Sequence, residues 1–556
     1  MKKILTLMSV AMLGTAATAQ ETYDNAQLAA KDLNGTARYV GMGGAMEALG
    51  ADISTMGSNP AGIGLFRRSM VNLSFGTNTQ SDAKDIGKDR TNMSFDQAGF
   101  VYSMRSGRKS YVNFGVSYNK SRNFNQILTA VGALHNASQN KLSAMKNYND
   151  VYRLGRNNGK LTSTWNGTTD YTFSQLDYLY SNGLLSDANS QLIGMSDNNV
   201  EGGNYIAGSG TELDANGKIA PAFYNATGFS FARGASGYIG EYNFDISGNV
   251  NDRFYWGLTF GLYDVNYKNN SVYTESLVNA SNNSIGDVTI ADERKITGTG
   301  FDVKAGVIFR PVEDSPFRIG LYVHTPTWYD LSTTNNTSFV NGLQQGYGNR
   351  NDNIGERYDY KFYTPWRFGA SLGHTVGNYL ALGVTYEFTD YSTSDIRVND
   401  GGSYDYWGNY YEETYRDESM KSNIKSVLKG VSTLKAGVEY KPISSLALRL
   451  GYNYVSPMYN KTGYKDATAN SYSTYYSSTT DYTNWKAINR ITAGLGYSYK
   501  QLSVDLAYQY SCQKGDFYPF MSYADPSNIY AYDNVSNAVE VTNKHHQLLL
   551  TLGYRF

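Results

Sequence analysis

Hydrophobic and polar residues alternate along much of this 556-residue chain. In "RFYWGLTFGLYDV", for example, Phe254, Leu258 and Leu262 share one face, while Gly257 and Thr259 share the other. A period of two predicts β-strands, since an amphipathic helix needs apolar residues at three- and four-residue spacing. About fourteen such segments begin near residues 69, 94, 110, 238, 253, 297, 316, 360, 379, 432, 445, 488, 502 and 544.

The connections between these segments alternate between short and long. "SGRK", "VND", "PVEDSP", "TVGN" and "PISS" are short, whereas polar stretches rich in Tyr, Asn and Ser separate the other pairs. An even number of strands with short turns at one end and long loops at the other is typical of outer-membrane β-barrels. We therefore predict an all-β fold, a transmembrane antiparallel barrel of about 14 strands, with both chain ends on the periplasmic, short-turn side.

Composition agrees with a barrel better than with a soluble enzyme. The chain has 50 tyrosines and one cysteine, its formal net charge is −1, and its mean hydropathy is −0.46. Only alternate residues of a barrel strand face lipid, so a membrane barrel is polar on average. The weak net charge argues against nucleic acid as a partner, and the cysteine count excludes an internal disulfide.

The first residues have the three parts of a secretory signal peptide. Lys2 and Lys3 precede an apolar stretch, and Ala17-Thr18-Ala19 offers small residues for cleavage. We expect residues 1–19 to be the signal peptide, residues 20–66 an N-terminal segment on the periplasmic side, and residues 67–556 the barrel.

The stretch "MGSNPAGIG" stands just before the first predicted strand. Asn59-Pro60 favours a turn, and Ala61 and Gly62 are small enough for close backbone packing. The segment is predicted to be a hatch inside the lumen, with a simple turn into the first strand as the alternative. Most strand glycines fall on the inward phase, which either leaves room for another segment or permits barrel curvature.

Two sets of residues could support catalysis or ligand binding. Gly369-Ala370-Ser371-Leu372-Gly373 matches the pattern of a nucleophile elbow, but it continues an alternating strand, and we predict that the chain is not an enzyme. Charged residues on the inward phase could bind a ligand headgroup, or they could pair with one another and hold the plug. These candidate lumen contacts are Lys304, Arg318, His324, Arg367, Lys435 and Arg449. No metal site or cofactor is expected.

The chain resembles the FadL-type transporters of long-chain fatty acids and other hydrophobic compounds. The resemblance rests on "YVGMGGAMEALGADISTMGSNPAGIG", in which Asn59-Pro60-Ala61 matches the family's motif, and on "TPWRFGASLGHTVGNYLALGVTYEF", "INRITAGLGYSYKQLSVDLAYQYS" and the C-terminal strand. It implies a fourteen-stranded barrel with an N-terminal hatch and a lateral opening at a kink in the third strand. Phe114-Gly115 is the candidate for that kink.

The function expected from these features is diffusion-driven uptake of small hydrophobic molecules across a Gram-negative outer membrane. The expected partners are the lipid bilayer, a small hydrophobic ligand and, during biogenesis, the barrel assembly machinery that reads the terminal aromatic strand; the protein is expected to be a monomer. The alternative is a structural or adhesive surface protein that binds host ligands through its Tyr-rich loops. A general porin and an energy-coupled receptor fit less well, because the first lacks a plug and the second needs about 22 strands.

Overall fold

The chain forms a closed antiparallel β-barrel of fourteen strands. The computed structural model describes residues 22–142, 152–157, 160–165, 204–205, 222–279, 281–343, 351–408, 410–465, 481–522 and 534–556. The wall closes where the first strand pairs with the last, with Met70 opposite Arg555 and Gln80 opposite His545. The predicted fold class and strand number are confirmed.

Nine wall strands are single segments, and five are interrupted or extended. The wall consists of β1 (Met70–Gln80), β2 (Thr91–Arg105), β3 (Tyr111–Asn123, continuing as Gln126–Ala133), β4 (Asn225–Val250), β5 (Phe254–Val278), β6 (Ser284–Phe309), β7 (Arg318–His324, continuing as Trp328–Leu343), β8 (Asn351–Tyr363, continuing as Arg367–Val376), β9 (Leu380–Asp390, continuing as Asp395–Tyr404), β10 (Tyr410–Arg416, then Gly430–Ile443), β11 (Leu446–Val455), β12 (Tyr482–Tyr499), β13 (Leu502–Tyr518) and β14 (Val539–Arg555). Helix α3 (Glu418–Val427) separates the two parts of β10, and a 3₁₀ turn (Tyr391–Thr393) interrupts β9. Two small hairpins, Tyr152–Asn157 with Lys160–Trp165 and Asn204–Tyr205 with Ala222–Phe223, lie outside the wall.

The outer surface carries an apolar band at the end of the barrel with short turns, which we call the turn end. On β5 the outward side chains Leu258, Phe260 and Leu262 are exposed, and the outward positions farther along the strand, such as Asn266 and Lys268, are polar. The band is about nine residues tall, the length that a tilted strand needs to cross a bilayer. The predicted inward and outward phases are confirmed on this strand.

Beyond the band, the opposite or loop end of the barrel encloses a core rich in aromatic side chains. Tyr263, Phe362 and Phe517 are buried there, together with residues of α3 such as Ile424. Strands β4 to β6 reach this level because each has 25 or 26 residues. We call this cluster the loop-end core.

In one segment the local apolar spacing and the observed structure disagree. Within "NQILTAVGALHNA", whose apolar spacing resembles that of a helix, Gln126–Ala133 is a strand that pairs with β4, from Ala235 to Gly228. Ile127, Leu128 and Ala130 are buried by this pairing. Tertiary pairing therefore overrides the local helical pattern.

The segment before β1 lies inside the barrel. It contains α1 (Thr22–Ala29), α2 (Ala37–Gly41) and two 3₁₀ turns, Ile53–Gly57 and Pro60–Leu65. We call residues 22–66 the hatch. No helix in the described parts of the chain is both long and apolar enough to span a membrane.

The hatch begins at the opposite end from the one predicted. Helix α1 lies in the loop-end core, where the Thr22 hydroxyl donates to the Asn423 side chain of α3 at 2.7 Å and the Tyr23 hydroxyl donates to the Asn484 side chain at 2.9 Å. The expectation that both ends lie on the turn side is therefore wrong for this end of the described chain. The apolar side chains of α1 pack against aromatic residues of the loop-end core.

Candidate functional site: the hatch, the cavity and the wall opening

The "MGSNPAGIG" stretch forms a capped 3₁₀ turn at the bottom of the hatch. Asn59 is fully buried, and its Oδ1 accepts from the Ala61 amide at 3.2 Å. Its Nδ2 donates to the Glu47 carbonyl at 3.0 Å, so one side chain joins two parts of the hatch. Pro60 begins the turn, where its fixed φ and missing N–H cost nothing.

The inward glycines of the wall accommodate the hatch backbone. A Cβ atom at Gly257 would clash with the Pro60 carbonyl group, and one at Gly306 would clash with the Asn59 side chain. On the other side of the lumen, Gly437 faces the Met42 carbonyl in the same way. Of the two readings of these glycines, the structure favours room for another segment.

A buried ion pair fixes the middle of the hatch to the wall. The carboxylate of Glu47, which has no exposed surface, accepts from the Lys435 ammonium at 2.7 Å and from the Thr385 hydroxyl at 2.6 Å. The Tyr39 hydroxyl donates to the same carboxylate at 3.2 Å. Burial raises the pKa of this phenol, and the nearby Glu47 charge raises it further.

A second group of charges joins α2 to the strands β10, β11 and β13. Arg38 pairs with Glu439 at 3.0 Å, Glu439 also pairs with Arg449 at 2.6 Å, and Arg449 pairs with Asp505 at 2.6 Å. Each of these four charged side chains has at least one oppositely charged neighbour, which a buried charge requires.

The other predicted lumen residues also contact the hatch or a neighbouring acid. Arg318 donates to the Leu49 carbonyl at 2.8 Å, and His324 Nε2 lies 2.6 Å from the Ser58 carbonyl oxygen. Lys304 is fully buried between Asp302 and Glu241, and Arg367 lies 3.5 Å from Glu387. These contacts favour the alternative in which inward charges hold the plug; direct ligand contact stays a prediction for Arg367 and Lys435, which line the cavity described below.

The wall has an opening between β2 and β3. Pairing between these two strands runs from Arg105 opposite Tyr111 to Gln97 opposite Asn119 and stops there. Beyond that point, within the described residues, β2 pairs only with β1, while the rest of β3 pairs only with β4. We call this opening the window; its edges are Thr91–Asp96 and Lys120–Gln126.

The window does not lie at the predicted kink. Phe114 and Gly115 are paired continuously with both neighbouring strands, and Gly115 packs against Met56 of the hatch. The irregularity comes later in β3, as a register shift between Lys120 and Arg122. The kink assigned to Phe114-Gly115 is therefore wrong, because that glycine is required for hatch packing and not for a bend.

Two hatch residues hold the edges of the window, and we call them the clasp. Asn34 Nδ2 donates to Asp96 on β2 and to the Lys120 carbonyl on β3, both at 3.0 Å. Asp32 accepts from the Arg122 side chain at 2.7 Å and from the Asn123 amide at 2.9 Å. The clasp thereby couples the position of the hatch to the window.

A cavity of about 250 Å³ lies inside the barrel between the hatch, the window and the loop-end core. Its lining is mainly polar, although Leu33, Phe124 and Tyr459 contribute apolar surface. The charged lining residues are Lys31, Lys120, Arg122, Arg367, Lys435, Lys486, Arg490, Asp32, Asp96, Glu241 and Glu387. Cations thus outnumber anions seven to four. Burial lowers the pKa of the Lys31 ammonium, and the Glu241 carboxylate at 3.2 Å opposes that shift.

The clasp and Arg490 were not among the residues predicted to face the lumen. Arg490 could have been found, because it continues the inward phase of "ITAGLGYSYK" by two positions. Asp32 and Asn34 could not, since the hatch has no periodicity that predicts which side chains face the wall.

Ser371 lies in regular strand structure. It is buried on β8, and its hydroxyl donates to the Gly320 carbonyl at 3.3 Å. A nucleophile elbow needs a sharp strand-to-helix turn, and this stretch is paired with β7 and β9 along its length.

No protein-family model matches the chain, and no curated protein matches it. Among solved structures, the chain is similar to a Pseudomonas aeruginosa FadL homologue, with 12% identity and a TM-score of 0.49 over 95% of this chain and 99% of that one. It is also similar to the Ralstonia pickettii toluene transporter TbuX, at 12% identity and a TM-score of 0.44 over 94% and 99%. The chain is similar as well to the P. putida toluene transporter TodX, with 10% identity and a TM-score of 0.46 over 94% of this chain and 99% of that one. The barrel assignment does not depend on these similarities, because it follows from the strand pairing of the chain itself.

Proposed function

We propose that this protein is an outer-membrane channel for diffusion-driven uptake of small hydrophobic molecules, including amphiphiles. The observation that carries the proposal is the window, which gives the internal cavity a route through the wall of a barrel whose lumen is plugged. A porin for free passage of polar solutes needs an open lumen, and the hatch occupies it.

The chemistry of the barrel supports a sideways route. The window lies beside the clasp, and the cavity lining includes both of its edges, Asp96 on one side and residues 119–126 on the other. A molecule with an apolar part gains hydrophobic free energy from a path that leads to lipid or to the apolar outer surface. The hatch keeps the direct path to the turn end closed.

The experiment compares uptake of radiolabelled dodecanol by cells that produce the protein and by cells that carry an empty vector. Asn34→Ala removes one of two side-chain bridges between the window edges and leaves the other, from Lys120 to Ser94. We therefore expect faster uptake than with the unaltered protein. Asn25→Ala is the matched control: it also removes a hatch asparagine, whose Oδ1 accepts from the Tyr360 hydroxyl at 3.1 Å in the loop-end core, away from the window.

Two results would count against the proposal. If the unaltered protein gives no dodecanol uptake above the empty vector, the transport function is wrong. If Asn34→Ala and Asn25→Ala change uptake equally, the route does not pass the window.

The hatch turn gives a second test of the same function. Asn59→Ala removes two hydrogen bonds, and Pro60→Gly removes the fixed φ. We expect either slower dodecanol uptake or increased leakage of small sugars from liposomes. The migration of the unboiled barrel on a gel should not change. Normal uptake and normal impermeability in both variants would reduce the motif to a turn.

We also infer that the protein acts as a monomer folded by the barrel assembly machinery. The wall closes within one chain, and the outward residues Leu552 and Tyr554 of β14 are followed by exposed Phe556. Native mass spectrometry tests the first inference, and folding yield after removal of Phe556 tests the second.

The adhesive alternative has one structural feature in its favour, the exposed aromatic pair Tyr406 and Trp407 beyond β9. It gives no role to the window or the cavity. Substitution of both aromatic residues by serine should leave dodecanol uptake unchanged.

A further inference from the structure

Positive charge is concentrated on one side of the turn end of the barrel. Arg67 and Arg68 follow the last residue of the hatch, Arg105 ends β2, and Arg108 and Lys109 lie in the turn between β2 and β3. All five side chains are exposed, and we call them the turn-end basic patch. The whole chain has a net charge of −1, so this excess of cations is local.

Hydrogen bonds bring the separate parts of the patch together. The Ser103 amide, near the end of β2, donates to the Ser69 hydroxyl oxygen at 3.1 Å. The Asn251 amide, in the turn between β4 and β5, donates to the Ser110 hydroxyl oxygen at 3.1 Å. Ser69 and Ser110 are each the immediate neighbour of a patch residue in the sequence. The five cations therefore form one continuous surface below strands β1 to β4.

The protein itself neutralises little of this charge. Arg67 pairs with Asp252, in the turn between β4 and β5, at 2.7 Å. Arg105 donates only to two carbonyl oxygens of its own turn, at 3.0 and 2.8 Å. Among the described residues, the other three side chains of the patch have no hydrogen-bond or ion-pair partner. Four of the five positive charges thus lack an acidic neighbour, and such a patch attracts an external anion.

The patch lies at the edge of the apolar band. Arg105 directly follows the exposed outward residue Met104, and Arg68 stands three residues before exposed Val71. The turn between β2 and β3 has only five residues, so it projects no more than about 8 Å beyond the strands. The headgroup layer adds roughly 5–8 Å to the hydrocarbon core on each side of a bilayer. The cations therefore lie at the height of the lipid headgroups.

We propose that the turn-end basic patch binds the phosphate groups of anionic phospholipids, whose acyl chains lie against the apolar band. Short turns of outer-membrane barrels face the periplasm, so these lipids belong to the inner leaflet. Guanidinium groups form charge-assisted, bidentate hydrogen bonds with phosphate. An acidic periplasmic protein fits this surface less well, because the short turns do not project beyond the headgroups. The proposal is independent of what the barrel transports.

The test measures binding of dioleoylphosphatidylglycerol and dioleoylphosphatidylcholine to the full-length protein in neutral detergent by native mass spectrometry. The two lipids have the same acyl chains, but only the first has a net negative charge. We expect the unaltered protein to prefer phosphatidylglycerol. The triple variant Arg68→Gln, Arg108→Gln, Lys109→Gln should bind phosphatidylglycerol at least about tenfold more weakly and phosphatidylcholine equally well. Arg68→Lys with Arg108→Lys keeps the charge and should keep the preference.

The matched control removes three exposed cations from the loop end, in the variant Lys84→Gln, Arg90→Gln, Lys425→Gln. It changes the net charge equally and should keep the preference for phosphatidylglycerol. Sodium chloride at 1 M should abolish the preference in the unaltered protein, because the Debye length falls from about 10 Å at 0.1 M to about 3 Å. Inorganic phosphate at matched ionic strength should not displace the lipid, since it has no acyl chains to lie against the apolar band.

Equal binding of phosphatidylglycerol by the unaltered protein and the patch variant, with both migrating as folded barrels, overturns the proposal. So does an equal loss in the loop-end control, which would reflect net charge and not the patch. Displacement by inorganic phosphate would assign the patch to a soluble anion. If the patch variant binds lipid normally but loses cross-links to a periplasmic protein in cells, the partner is a protein and the lipid site is refuted.

Discussion

The ion pair between Glu47 and Lys435 provides a direct test of what keeps the hatch in the barrel. Glu47→Gln removes the negative charge and nearly preserves the side-chain shape. The Lys435 ammonium, which donates to Oε1, can still donate to the amide oxygen, and the Thr385 hydroxyl, which donates to Oε2, can instead accept from the amide nitrogen. What changes is that Lys435, whose side chain is 9% exposed, loses its charge partner at 2.7 Å.

The magnitude follows from what remains around Lys435. Breaking a buried ion pair by removing one partner typically costs about 3–5 kcal/mol. Here Glu387 stays 3.9 Å from the ammonium and offsets part of the loss, so we expect about 2–3 kcal/mol. If the hatch opens without the wall, its buried amides should exchange with solvent roughly 30- to 150-fold faster.

The assay is hydrogen exchange followed by mass spectrometry on peptides of the hatch and of β12–β14. We expect faster exchange in residues 36–50 and unchanged exchange in the wall, together with new leakage of small sugars from liposomes. The double variant Glu47→Gln, Lys435→Met should recover part of the loss, because no buried charge is then left unpaired. Unchanged hatch exchange in Glu47→Gln would show that this ion pair does not hold the hatch.

Three further predictions concern the wall. Leu258→Arg, in the apolar band, should lower the free energy of unfolding of the barrel by about 2–4 kcal/mol. Val272→Arg, also outward on β5 but beyond the band, should lower it by at most about 0.5 kcal/mol. Equal losses of unfolding free energy in urea titrations would contradict the placement of the bilayer. Gly437→Val should displace the hatch and raise sugar leakage, because a Cβ there clashes with the Met42 carbonyl. The control is Gly408→Val: no atom lies within 4 Å of a Cβ there, and the φ of +81° means that valine should strain only its own loop and leave leakage unchanged. Ser371→Ala should change neither uptake nor any hydrolysis of a nitrophenyl ester, and loss of measurable hydrolysis would contradict the non-catalytic assignment.

The wall could be predicted from sequence because its physics is local. Lipid on one side and packed interior on the other impose a period of two, and each of the fourteen predicted segments corresponds to one wall strand. Two strands are longer at the loop end than the sequence predicted. β4 begins at Asn225 and not near 238, and β6 begins at Ser284 and not near 297. Polar residues occur on both faces of these extensions, for example Thr227 and Ser230 in β4, so the alternation that defines a strand is weaker there.

The hatch could not be predicted in detail because its contacts are distant in sequence. Glu47 and Lys435 are 388 residues apart, and Arg38 and Glu439 are 401 apart. Inward positions at the level of the hatch are also packed. Thr259 is fully buried and donates to Asp245 at 2.7 Å, so an inward position at this level is as constrained as a core residue.

The two explanations considered for the inward charges, ligand contact and structural pairing, turn out to describe different heights in the same lumen. At the level of Met42 to Asn59, the wall glycines allow the hatch backbone to lie close to the wall. Arg318, His324 and Lys435 form hydrogen bonds with the hatch there. Nearer the loop end, between α1 and α2, the hatch has no helix or 3₁₀ turn, and the cavity beside it is lined by Asp32, Arg122 and Arg490. The cavity therefore lies where the hatch no longer fills the lumen. Alternation in the wall strands marks inward cations, but it does not separate the cations that anchor the hatch from those that face the cavity.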